Sequence, residues 1–285
     1  MRLTANRSGE KVQDVPPPAR SPSTNVTLAL LPRGTNVNEL AQAGLSPGLF
    51  SAGLGAVPAE QTYLDITQGN RVFDSLYSSE LPAFAGNCAQ RWRVVDGRAE
   101  SAPADIVPGL LSSSLATAGV GVRARGEASC TFSPPRLTDG YRRSSKKLSG
   151  TPRPHAHFTF EVRSSTLRAL PSLVRSLRGN DLLIAIERPP PAKNGALAIG
   201  IAGRGFDGDL TSDSTRLDGY VLSTDVAPTI LLRLGVGVPS QMSGQPIRAE
   251  GSVDPAAVTE FGDRMAVISE RRGPVIGLSL LAWIV

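Results

Sequence analysis

His155 and His157 are the only imidazoles in the chain. They stand at i and i+2, a spacing that would put both rings on one face of a β-strand. Two nitrogens so placed can begin a metal site, and Glu161, further along the same face, would be a third ligand. The pair adjoins a basic Ser/Pro/Gly-rich stretch, however, and a mobile border does not hold a coordination geometry, so no metal site is expected there. "GRGFDG", residues 203–208, has the GxGxxG form behind an apolar run. A dinucleotide site also needs a helix to open at that point, so that its N-terminus can face the pyrophosphate. The following "DLTSDSTRLDG" is polar and turn-like, and a plain loop is expected. Nucleophilic catalysis needs a base within reach of its nucleophile. Hydroxyls and carboxylates are plentiful, Asp65, Asp207 and Asp225 among them, but a Ser–His–Asp site would have to use one of the two neighbouring histidines.

Cys88 and Cys130 are the only cysteines, and no CxxC spacing occurs. They are either one disulfide, in a chain that lives outside the cytoplasm, or two separate buried thiols. With 30 Lys and Arg against 25 Asp and Glu, the net charge is +5. The excess is local: Arg136, Arg142, Arg143, Lys146, Lys147 and Arg153 gather within 136–154. A basic run can attract phosphate backbones or anionic lipid, but Tyr141 alone accompanies it, which leaves little for base stacking. The reading is a flexible basic insertion, with no nucleic-acid partner.

The elements that would position any site alternate. "VTLALL" (26–31) is a short buried strand, and "NVNELAQAG" (36–44) a helix closed by Gly44. "GLFSAGLGAV" (48–57) reads as a strand and "AEQTYLDITQGNR" as a helix or turn, while residues 80–108 read as loop. "DIVPGLLSSSLATAGVGV" gives a helix stopped by Gly119 and then a strand. "HAHFTFEV" alternates like a strand, and "SSTLRALPSLVRSLRGN" is an amphipathic helix interrupted at Pro171. "DLLIAI" and "GALAIGIAG" are strands. In "STDVAPTILLRLG", Thr224 or Asp225 is positioned to cap a helix, Pro228 falls in its first turn, and Gly235 stops it. Ile230, Leu231, Leu232 and Leu234 supply its buried face. Strands alternating with helices imply an α/β fold with a mostly parallel central sheet flanked by helices.

Quoted in order, these pieces resemble the alkaline-phosphatase-like superfamily of phosphodiesterases, sulfatases and phosphoglycerate mutases. "STDVAPTILLRLGVGVPSQMSGQPI" is similar to that family's C-terminal Asp-x-Ala-Pro-Thr helix with its Leu-Gly, Pro turn and Gly-x-Pro, the structural motif here being Thr224, Asp225, Pro228 and Thr229. "LALLPRGT" is similar to its first strand, "LDITQGNR" to its Leu-x-Thr-Gly segment, and "LLIAIERPP" to the late strand leading to the metal site. The resemblance covers about residues 25–248. It implies two metal ions, usually zinc, bound by Asp and His, with a Ser, Thr or modified Cys nucleophile.

Position by position, that chemistry is missing. The first strand ends in Leu31-Pro32-Arg33 where a metal-binding Asp belongs. The nucleophile region is Val57-Pro58-Ala59-Glu60, with Thr62 the nearest hydroxyl. The late strand delivers Glu187-Arg188 instead of Asp-His, and no histidine follows His157. Two adjacent dications need several anionic or imidazole ligands to replace their hydration, and a guanidinium beside them adds like charge. The resemblance therefore implies the fold without the catalytic metal site: no cofactor, no metal, no catalytic residue. A ligand would be sought at the strand ends, at Arg33, Glu60, Thr62, Asn70, Glu187 and Arg188.

The implied organisation is a disordered polar segment (1–24), the α/β domain (25–250), a linker (251–272) and, in "GPVIGLSLLAWIV" (273–285), the start of a truncated transmembrane helix. A span needs about 20 apolar residues, and the arginines of "ERRGP" mark its charged threshold. The expectation is an extracytoplasmic domain at the cell membrane. It would be attached through that C-terminal segment and would bind an envelope ligand or a membrane-protein partner.

Overall fold

The computed structural model describes residues 23–53, 57–81, 87–134, 158–193 and 195–268. In chain order the main elements are β1 (Thr24–Leu31), α1 (Val37–Gln42), β2 (Ser46–Ser51), β3 (Val57–Pro58) and α2 (Ala59–Gln68). There follow α3 (Cys88–Glu100), α4 (Leu110–Thr117), β4 (Gly121–Ala124), α5 (Ser129–Phe132) and β5 (Phe158–Ser164). The rest are α6 (Leu170–Ser176), β6 (Leu182–Glu187), β7 (Ala192–Lys193), β8 (Leu197–Gly203), β9 (Asp209–Thr211), β10 (Tyr220–Leu222), α7 (Val226–Arg233) and β11 (Arg248–Glu250), then α8 over 255–268.

Seven strands form one sheet in the order β10-β2-β8-β6-β1-β5-β4. Four of its pairings are parallel, β10–β2, β6–β1, β1–β5 and β5–β4; only β8 runs against both its neighbours. β1 lies near the middle because its residues from Leu28 to Leu31 are apolar on both faces and wholly buried, the composition of a strand covered on two sides. On one face Leu28, Leu30, Ile184 and Ile186 pack with Tyr63 and Ile66 of α2 and Ile230 and Leu231 of α7. On the other, Ala29, Leu31, Leu183 and Ala185 meet Leu40 of α1, Leu170 of α6 and Val258 of α8. The structure is thus an α/β fold whose mostly parallel seven-strand sheet is flanked by helices.

Several expectations are corrected. The stretch 80–108 contains α3, a helix started by Asn87, whose side chain accepts from the Ala89 and Gln90 amides. Pro171 lies in the first turn of α6 and opens it instead of interrupting it. Leu232 is 62% exposed, so the buried face of α7 is Val226, Ala227, Ile230 and Leu231. Residues 255–268, within the expected linker, are helical, and Val258 packs into the core while Phe261 meets the Tyr220 ring edge-on.

The transmembrane expectation and the membrane attachment built on it are also corrected: among the described residues no helix is long and apolar enough to cross a membrane. The last described helix, α8, carries Glu260, Asp263 and Arg264, with an Arg264–Glu260 ion pair of 3.0 Å one turn apart. That is the charge pattern of a helix with one face in water. Residues 273–285, the N-terminal segment 1–22, the basic insertion 136–154 and the His155/His157 pair lie outside the described residues.

Candidate functional site

The parallel strands deliver their C-terminal ends to one edge of the sheet, where loops converge. Register places Leu31 of β1 opposite Glu187 of β6, and Leu30 opposite Ser164 of β5. The pairing runs one residue past β6, since the Arg188 amide donates to the Leu31 carbonyl at 3.1 Å. Arg33 and Arg188 therefore leave adjacent strand ends. The Arg33 Nε donates to the Pro189 carbonyl at 3.4 Å, which lays its guanidinium along the chain just beyond Arg188.

Glu187 is 6% exposed and faces inward. Its Oε1 accepts from the Gly34 amide at 2.9 Å, and its Oε2 from the Ala198 amide at 3.2 Å. One carboxylate thereby joins the loop after β1 to the start of β8 across the end of β6. Charge-assisted bonds to backbone amides are among the stronger hydrogen bonds a fold can make.

Beside it lies a second charged group. Arg188 Nε is 3.6 Å from Glu127 Oε1, longer than a hydrogen bond. The Tyr63 hydroxyl, on buried α2, donates to the same Glu127 oxygen at 3.4 Å. Burial is the main cause that pushes the Tyr63 phenol well above its ordinary range. Glu127 adds to the rise, while the guanidiniums of Arg188 and Arg33 pull the other way. The phenol stays protonated, a donor and not a nucleophile.

The other expected residues have different duties. Thr62 is buried, and its Oγ1 donates back along α2 to the Pro58 carbonyl at 3.3 Å. Glu60 sits in the first turn of α2, where its charge acts on the buried Arg91 of α3. Asn70 follows the other end of α2. Its amide donates to the carbonyls of Asp105 and Gln241, while its Oδ1 accepts from Ser243 and from the Arg71 amide. Arg33, Glu187 and Arg188 therefore stand at adjacent strand ends, whereas Thr62 is spent within its own helix and Asn70 on tying the end of α2 to the segments at Asp105 and Gln241–Ser243.

The Asp225 motif is also a staple, of another kind than a simple cap. Asp225 is fully buried and directs its carboxylate backward, with no cap bond into α7. Oδ2 accepts from Ser212 at 2.6 Å and the Leu222 amide at 2.9 Å; Oδ1 accepts from Ser214 at 2.6 Å and the Gln245 amide at 2.9 Å. Thr229 Oγ1 donates to the Asp225 carbonyl at 2.7 Å and accepts from the Ile247 amide at 2.8 Å. Thr224 is buried next to Gly244, where any Cβ would collide with the Thr224 carbonyl. The Gly244 and Ser243 amides both bond the carbonyl of Gly69, the left-handed cap of α2. Pro228 is buried in the first turn of α7, where its missing N–H is no loss.

Sequence reasoning passed over a buried polar group beneath the turn after α2. Asp65 is 1% exposed and accepts from Gln61 Nε2 at 2.7 Å. Arg98 of α3 donates to Gln61 Oε1 at 3.0 Å, to Asp74 at 3.1 Å and to the Ser79 carbonyl, and stacks over the Tyr77 ring at 4.2 Å. Burial holds the Asp65 carboxyl well above its ordinary range, against the pull of Arg71 and Arg98. It also pushes the Tyr77 phenol up to about 12, with help from Asp65. The available signal was the spacing of Gln61, Asp65 and Gln68 at i, i+4 and i+7, which puts three polar groups on one face of α2. "GRGFDG" leads into β9 and not into a helix, so no pyrophosphate cradle forms there.

Cys88 and Cys130 form a disulfide, with a Cα–Cα distance of 5.7 Å. It ties the first turn of α3 to α5, and Trp92 Nε1 donates to the Cys130 carbonyl at 2.8 Å.

No family model matches the chain, and no curated protein does. Among solved structures, the crystal structure of Ps i-CgsB aligns over 84% of this chain and 76% of its own, at 10% identity and a TM-score of 0.39. That likeness is too slight to transfer a fold or an activity.

The donor set at the strand ends does not suit the two metal ions that the family resemblance implies. Glu187 has both oxygens engaged by amides, Arg188 and Arg33 are cations, and Glu127 faces Arg188. Among the described residues no group of three or more His, Cys, Asp or Glu is placed to hold a metal ion.

Proposed function

We propose that the chain is a catalytically degenerate alkaline-phosphatase-like domain that binds a ligand or partner at the C-terminal edge of its sheet. The observation that carries this is the state of Glu187. The family's pattern calls for a metal ligand at this position, and here the carboxylate is a backbone staple. The superfamily assignment itself is supported by the order of the elements and by the bonds and close contacts that Thr224, Asp225, Thr229 and Gly244 of the quoted C-terminal motif make. The disulfide supports residence in an oxidising compartment, where such bonds form and persist.

The test is metal content by mass spectrometry after dialysis against zinc and manganese, together with thermal unfolding, for the wild type and Glu187→Ala. The expected result is no more than about a tenth of an equivalent in both proteins, since no three-ligand set is available. Glu187→Ala should lose about 1–3 kcal/mol of stability, because the buried Ala198 amide is left without an acceptor. Two equivalents in the wild type that disappear in the variant would sink the proposal, and turnover of a phosphodiester would then have to be sought.

A further inference from the structure

We infer that Arg33 and Arg188 together form a metal-independent receptor for an oxyanion group at the ends of β1 and β6. The inference rests on the ligand-binding reading above and names the chemical class that the edge accepts.

Adjacency is the first support. The two arginines leave neighbouring strands whose ladder continues through the Arg188 amide to Leu31, and the Arg33 guanidinium lies against the Pro189 carbonyl. Charge is the second. Glu187, a carboxylate at this edge, is already satisfied by the Gly34 and Ala198 amides. Glu127 approaches Arg188 only to 3.6 Å and shares its oxygen with the Tyr63 hydroxyl. Arg125, exposed on the loop after β4, adds a further cation two strands away.

Donor geometry is the third. Arg33 is exposed and engages the Pro189 carbonyl through Nε, which leaves its two Nη groups as donors for a ligand; Arg188 keeps 29% of its side chain accessible. A guanidinium presents its N–H groups as a planar fork matched to two oxygens of a phosphoryl, sulfuryl or carboxyl group. Two forks on adjacent loops can hold one such group from two sides. Buried Tyr63 supports the arrangement from below by orienting Glu127, whose carboxylate limits how strongly Arg188 attracts an anion.

The experiment uses chelator-treated protein whose metal content has been measured. Inorganic phosphate, sulfate and acetate are titrated separately by calorimetry at fixed low ionic strength, since exposed charge pairs are screened by salt. The variants are Arg33→Gln, Arg188→Gln, Arg188→Lys, Glu127→Gln and, as a control at the other end of β6, Arg178→Gln; thermal unfolding checks that each is folded. At least one anion should bind saturably in the millimolar range or tighter, and the strongest of the three identifies the group. Arg33→Gln and Arg188→Gln should each weaken it by about tenfold or more, the scale of one charge-assisted fork. Arg188→Lys should also weaken it, because charge without the fork is insufficient. Arg178→Gln should leave the affinity unchanged, and Glu127→Gln should tighten it. The inference is overturned if none of the anions saturates, or if the Arg33→Gln/Arg188→Gln double variant binds as the wild type does. Silence with no metal retained would overturn this inference alone. Binding that appears only after zinc is restored, with zinc retained, would overturn the metal-free reading as well.

Discussion

At the scale of single residues, buried carboxylates such as Glu187 and Asp225 join backbone segments that are distant in sequence. Asp225 shows how much one buried carboxylate can hold. It accepts four hydrogen bonds, from two serine hydroxyls and two amides on three separate segments. Asp225→Ala should cost about 3–5 kcal/mol, as expected when a buried network loses its central acceptor. Ser214→Ala, which removes one donor at a half-exposed site, should cost about 1 kcal/mol. Urea unfolding of both variants checks the difference. Asp65 gives a prediction in pH. Its folded carboxyl is raised above the ordinary 3.8 by burial, so above pH 3.8 the unfolded chain releases a proton that the folded chain retains. Stability contributed by protonated Asp65 is complete below that pH and is lost as pH climbs toward the raised value. Asp65→Asn should therefore be more stable than wild type at pH 7, with the gap closing as the pH approaches 4. Equal gaps at both pH values would contradict this. Arg33, Glu187 and Arg188 were named from the family resemblance, as the positions where its metal ligands would stand, and the pairing of β1 with β6 sets their chain ends side by side. That Glu187 bonds amides was not legible, because the approach of Gly34 and Ala198 is made by the sheet and not by spacing along the chain.

At the scale of elements, strong local signals held and weak ones did not. The helix stops at Gly44, Gly119 and Gly235, all with positive φ, and the apolar strands β1, β6 and β8 carry their cause in neighbouring residues. α3 does not, since its apolar face is little more than Trp92 and Val95, it contains Gly97, and it buries Arg91 and Arg98. What fixes it is tertiary: a salt bridge to Asp74 and a covalent bond at its first residue. The disulfide closes a loop with a sequence separation of 42, for which the chain-entropy estimate is about 4 kcal/mol. The Cys88→Ala/Cys130→Ala protein should lose stability of that order in urea, and hydrogen exchange should increase first in α3. The pairing was one of two open alternatives in sequence, because a separation alone cannot distinguish a bridge from two thiols.

At the scale of the whole molecule, the fold class followed from the alternation of strands and helices, but the strand order did not. Nothing local in "VTLALL" says that its neighbours will come from residues 158–164 and 182–187. That arrangement has a consequence for how the protein is made. β1 leaves the ribosome before either of the strands that flank it, and both are synthesised only after more than a hundred further residues. At ordinary elongation rates the interval is on the order of ten to thirty seconds. During it, a strand apolar on both sides has neither of its sheet partners, a state prone to intermolecular association. Nascent chains arrested before residue 158 should pellet or hold a chaperone, whereas chains arrested well past residue 187 should not. β2 waits longer still, since its partners are residues 197–203 and 220–222, so the two strands of the described sheet that are made first need the longest shelter.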